Sequence, residues 1–76
     1  METVYIVQAF STGKRGRVVA DKPLIYKTES EAVRRAAKLA DTALGVIAFA
    51  QTADPELGDY SEPVVLATHG DVPDMG

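Results

Sequence analysis

One stretch of this chain has the periodicity of a helix, and alanine lines it. From Glu29 to Ala43 there is no glycine or proline, and alanine, arginine and leucine, all good helix formers, dominate. Thr28-Glu29-Ser30-Glu31 has the S/T-x-x-E form of a capping box, in which Thr28 and Glu31 satisfy amides that open the first turn. At about 100° per residue, Val33, Ala36, Ala37, Ala40 and Leu44 fall on one stripe. Ala32, Leu39 and Ala43 widen it, and Glu31, Arg34, Arg35 and Lys38 occupy the opposite face. Gly45 is expected to stop the helix in the C′ role. A stripe of such small side chains lets the helix axis sit close to the surface it covers.

That surface is expected to be a sheet. Thr3–Ser11 is rich in β-branched and aromatic residues. Alternation places Val4, Ile6, Gln8 and Phe10 on one face and Tyr5, Val7 and Ala9 on the other, so both faces are largely apolar, as in a central strand. Two glycines in Thr12-Gly-Lys-Arg-Gly16 suit a hairpin loop, and a second strand begins at Arg17–Ala20. Pro23 supplies no amide to a ladder and marks that strand as an edge; Leu24-Ile25-Tyr26 either extends it or leads irregularly into the helix. Beyond the helix, Val46–Thr52 is a third strand, with Ile47 and Phe49 on one face and Val46, Ala48 and Ala50 on the other, the side suited to an alanine-lined helix. Residues 54–60 form a turn by composition, and Glu62–Ala67 is a fourth strand whose Pro63 again indicates an edge. No internal repeat is apparent.

The expected fold is α+β in the order ββαββ: one four-stranded antiparallel sheet, order 2-1-3-4, with a single helix packed on one face. The organisation expected is one domain over 1–67 and a flexible C-terminal tail over 68–76. Of the 76 residues 46% are hydrophobic, but 11 of those 35 are alanine and only 17 are valine, isoleucine or leucine. With no cysteine to cross-link it, such a core is thin for a lone monomer. No apolar run reaches the roughly 18–20 residues of a membrane helix, and Met1-Glu2-Thr3 carries no basic leader region, so a cytoplasmic protein is expected.

Charge is unevenly distributed. All eight basic residues lie in 1–38 with four acidic ones, a net of +4, whereas 39–76 holds seven acidic residues and no base, a net of −7. Lys14, Arg15 and Arg17 in the hairpin and Arg34, Arg35 and Lys38 on the helix are candidate polyanion-binding residues. The sequence pI of about 4.9 and the absence of an RNP1-type pattern argue against a dedicated nucleic-acid domain. Gly13-Lys14-Arg15-Gly16-Arg17 is not a P-loop, because glycine precedes lysine inside a hairpin, not between a strand and a helix.

Catalytic groups are scarce. His69 is the lone histidine, placed in the expected tail, and there is neither a cysteine nucleophile nor a G-x-S-x-G motif. Asp54, Glu56, Asp59 and Glu62 cluster in the second hairpin loop, but the spacing from Asp54 puts Asp59 and Val65 where a calcium loop needs glycine and glutamate. No catalytic residue, metal or cofactor is therefore expected. The function expected is a small non-enzymatic protein-interaction module that self-associates through an apolar sheet face. Tyr5, Val7, Ile47 and Phe49 are its candidate dimer interface, or Val4, Ile6 and Phe10 if the helix covers the other side. Another protein is a further possible partner. The alternatives are a nucleic-acid-associated accessory protein using the basic hairpin and helix face, and an enzyme built at a dimer groove.

Overall fold

The longest strand, β1 (Glu2–Thr12), pairs antiparallel with β4 (Gly45–Asp54) from Glu2↔Ala53 to Phe10↔Gly45, and this pair is the spine of the molecule. A computed structural model describes residues 2–54 and 56–72 and arranges them as one antiparallel sheet carrying one helix, an α+β fold with the expected central and edge positions. The sheet contains six strand segments where four strands were expected. β2 (Val18–Ala20) and β3 (Leu24–Tyr26) both pair with β1 on one side; β5 (Asp59–Tyr60) and β6 (Val64–Gly70) both pair with β4 on the other. Each edge is thus interrupted just ahead of or at its proline, where no amide is available for the ladder. The turn expected over 54–60 is shorter, because Asp54 ends β4 and Asp59 and Tyr60 form β5. Leu24-Ile25-Tyr26 is an extension of the edge.

The two interruptions are built alike. On one edge, Ala20 stands opposite Phe10 and Leu24 opposite Val7; on the other, Tyr60 stands opposite Ala53 and Val64 opposite Ala50. In both, the edge takes four steps while the central strand takes three. The Asp21 amide donates to the Ala9 carbonyl at 2.9 Å, and the Ser61 amide donates to the Thr52 carbonyl at 3.0 Å. The side-chain amide of Gln8 donates to the Asp21 carbonyl, and that of Gln51 to the Ser61 carbonyl. Asp21 and Ser61 are exposed, so these side-chain donors take the place of water at the two carbonyls, and each glutamine bridges the break in the strand beside it. The two halves are related by an approximate two-fold normal to the sheet through the Ile6↔Phe49 pair, a repeat not apparent in the sequence.

The helix α1 (Glu29–Leu39) lies on the face formed by Tyr5, Val7 and Ala9 of β1 and Val46 and Ala48 of β4. Thr28 Oγ1 accepts from the Glu31 amide at 3.3 Å and donates to Glu31 Oε1 at 2.8 Å, so the cap forms through the hydroxyl. The buried stripe is centred on Ala32 and Ala36, both fully buried, with Leu39, Ala40 and Ala43 beside them. Val33 and Ala37, expected at its centre, are exposed. The small side chains of Ala32 and Ala36 bring the helix onto Val7, Val46 and Ala48.

Three other expectations are corrected. The helix ends at Leu39 with Ala40 as its C-cap, four residues short of Ala43, and Gly45 is the first residue of β4 in place of a helix terminator. Gly45 is required by close approach: a Cβ there would lie 1.9 Å from the Asp71 carbonyl oxygen. Thr68, His69 and Gly70, assigned to the tail by composition, pair with Ile47, Val46 and Gly45. Residues 73–76 of that tail lie outside the described residues. A register shift between Ala48 and Phe49 leaves Leu66 as an extra residue in β6, and both Leu66 and Ala67 pack on the core.

Gly45→Ala is expected to destabilise the protein by about 3 kcal/mol, the upper part of the range for overpacking. Urea denaturation measures this; an unchanged midpoint would mean that the backbone at Asp71 yields freely.

Candidate interaction surfaces

With the helix on one side of the sheet, the other side is left without a covering element among the described residues. Pairing across the strands aligns Ile25 of β3, Ile6 of β1, Phe49 of β4 and Val65 of β6 in a single transverse row on that open face. Ile25 is 66% exposed and Val65 56% exposed, while Ile6 and Phe49 are half-buried between them. Val4, also exposed, extends the patch along β1. Gln51 opposite Val4, and Gln8 with Thr68 on either side of Ile47, border the row with polar groups.

Of the four residues expected at a dimer interface, the structure assigns only Phe49 to the bare part of this face. Val7 is 1% exposed and Tyr5 packs beside it, both under the helix. Ile47 belongs to the open face but is only 8% exposed. The helix covers the Tyr5–Val7–Ala9 face, so the other expected set, Val4, Ile6 and Phe10, is the open one, although Phe10 is itself buried. Neither Ile25 nor Val65 follows from alternation: Ile25 lies in a three-residue segment too short to assign a face, and Val65 lies beside the register shift at Leu66.

The basic residues form two separate patches. Lys14, Arg15 and Arg17 sit at the exposed tip of the first hairpin, where a 3-10 turn spans Lys14–Gly16. Arg15 adopts φ 61° and Gly16 φ 74°, and the tip closes through the Gly13 amide donating to the Arg17 carbonyl at 2.6 Å. Arg34, Arg35 and Lys38 line a shallow groove of about 320 Å³ with Glu31 and Tyr26. None of the hairpin cations lines this groove. Tyr26 stands opposite Tyr5, seven residues along β1 from Thr12, about 23 Å at the usual strand rise.

The acidic loop lies at the far end of the spine from the basic hairpin. β1 runs from Glu2 beside Ala53 toward the Lys14–Arg17 tip, and β4 runs antiparallel to it toward Asp54 and Glu56. The Asp54 carboxylate accepts from the Glu56 amide at 3.1 Å and the Gly58 amide donates to the Asp54 carbonyl at 2.8 Å, an ordinary turn. Among the described residues no three histidine, cysteine, aspartate or glutamate side chains converge as a metal site requires. His69 is half-buried in β6 opposite Val46. No helix among the described residues is long and apolar enough to cross a membrane.

Compared with known proteins, the chain matches no family model, and no curated protein or solved structure shows significant similarity to it.

Since the side chains of Lys14 and Arg17 are exposed at the hairpin tip, replacing both by alanine is expected to change stability by no more than about 0.5 kcal/mol. Thermal denaturation checks this, and a larger drop would assign the tip a structural role.

Proposed function

We propose that this chain is a non-enzymatic, cytoplasmic protein-interaction module whose first partner is a second copy of itself, docked face to face across the open side of the sheet. The observation that carries this is the apolar row Ile25–Ile6–Phe49–Val65, which crosses the whole sheet with no described element over it. Contiguous exposed apolar surface of this kind marks an interface. Its layout is that of an interface too: apolar at the centre, bordered by Gln8 and Gln51.

Charge favours a second copy over an unrelated partner. One tip of the molecule carries Lys14, Arg15 and Arg17 with no acid, and the opposite turn carries Asp54 and Glu56 with no base. In a two-fold dimer with opposed strand directions, each basic tip approaches the partner's acidic turn, and the two contacts are equivalent by symmetry. Facing sheets about 10 Å apart leave room for the side chains of both rows to interdigitate. The two basic patches do not merge into one continuous track, which favours this role over nucleic-acid binding.

Sedimentation equilibrium tests the proposal with two variants. Ile25→Glu combined with Val65→Glu places charge on exposed positions of the row and is expected to give a folded monomer. Val7→Glu places charge in the core under the helix and is expected to unfold the chain. A native protein that remains monomeric at high micromolar concentration would contradict the proposal. Added salt is expected to weaken the dimer without abolishing it, because only the tip contacts are screened.

A further inference from the structure

We propose that the groove beside α1 binds a small phosphate-bearing ligand with a planar ring, a nucleoside phosphate by class. The groove is on the helix side of the sheet, away from the open face, so it stands independently of self-association and stays accessible in a face-to-face dimer.

Three features of the groove point to this class. The first is charge. Arg34, Arg35 and Lys38 contribute three positive charges and Glu31 one negative, a local excess of +2 on a chain whose net charge is −3. Glu31 does not turn its full accepting capacity on those cations, because Oε1 accepts from Thr28 Oγ1 at 2.8 Å in the helix cap. The second is orientation. The Arg34 guanidinium donates to Ser30 Oγ at 3.0 Å, one turn back along the helix. That bond uses one of five N–H donors and fixes the direction of the fork, leaving others for a phosphate oxygen. Lys38 follows Arg34 by four residues, about 6 Å along the axis, and adds a mobile point charge on the same flank.

The third feature is Tyr26. Its ring is half-buried against the core cluster, so it is held in place while also lining the groove. A fixed aromatic beside a cationic cluster offers a surface on which a planar ring can stack. At about 320 Å³ the groove is at the lower end of small-molecule sites, and its lining comes from one side of α1 and from Tyr26. The hairpin cations, which a longer polyanion would need, do not line it.

Titration of the ¹⁵N-labelled full chain with ADP, pyrophosphate and adenosine, followed by amide chemical shifts, tests the assignment. ADP is expected to shift the signals of residue 26 and residues 30–38 saturably, pyrophosphate to bind the same residues more weakly, and adenosine most weakly. Arg34→Ala combined with Arg35→Ala is expected to weaken ADP about tenfold or more, the worth of one charge-assisted hydrogen bond, while the thermal midpoint stays unchanged. Tyr26→Leu is expected to weaken ADP and leave pyrophosphate unaffected. Lys14→Ala combined with Arg17→Ala is expected to change neither. The assignment is overturned by the absence of saturable shifts up to millimolar ADP, by shifts centred on the hairpin tip, or by ADP affinity that survives loss of both arginines. It is equally overturned if ADP and pyrophosphate bind alike and Tyr26→Leu has no effect, because the ring is then no part of recognition.

Discussion

The close seating of Ala32 and Ala36 on Val7, Val46 and Ala48 is the contact on which the rest of this molecule depends. A helix lined with larger side chains would stand further from the sheet and bury more apolar area per residue. This one is held close by small groups, and among the described residues the larger side chains that are completely buried are Val7 and Val46. One eleven-residue helix also covers only one side of a sheet whose central strands are apolar on both. The thin core and the bare opposite face are therefore two consequences of one economy, and the proposed self-association would answer both. The same tightness appears at Gly45, where the chain returns against Asp71 with no room for a Cβ.

The edges are handled by a different device. Pro23 and Pro63 interrupt the outer strands, and irregular edges resist open-ended strand addition. The interruptions expose carbonyls at Asp21 and Ser61, which the side chains of Gln8 and Gln51 satisfy from the neighbouring central strands. These same glutamines border the apolar row. The edges are thus closed to pairing, whereas the open face, where the approximate two-fold through Ile6 and Phe49 centres the row, is the side we propose for association.

Much of this architecture was legible in the chain. The capping box, the alternation in β1 and β4, and the proline-marked edges led to the element order, the central pair and the single covering helix. The expected helix end lies too late because residues 40–43 contain no glycine or proline to mark a stop. Yet the chain must turn there, at Asp41 and Thr42, which are poor helix formers, to bring Gly45 beside Asp71. The internal repeat was hidden because its carriers are differently spaced. Gln8 precedes Pro23 by fifteen residues and Gln51 precedes Pro63 by twelve, since the two hairpin loops differ in length, and a fixed-period comparison cannot align them. For the interface, alternation separates the two faces of β1 correctly and the small residues of β4 mark the side for the helix, but only the register of β1 on β4 says which face of β1 shares that side. The small side chains of Ala32 and Ala36 fit best over Ala48 and Val46, and these share a face with Val7. The groove at Tyr26 combines residues from β3 and α1, and its aromatic wall follows from the edge pairing of Tyr26 with Tyr5, which the sequence left undecided.

Isotope-filtered nuclear Overhauser spectroscopy on an equimolar mixture of ¹³C-labelled and unlabelled chains addresses the central claim most directly, because it detects only contacts between copies. Face-to-face pairing predicts intermolecular signals among the side chains of Ile25, Ile6, Phe49 and Val65, with none from Ala32, Ala36 or Leu39 under and around the helix. Intermolecular contacts confined to α1 or to the β6 edge, or none at concentrations where the chain sediments as a dimer, would contradict it.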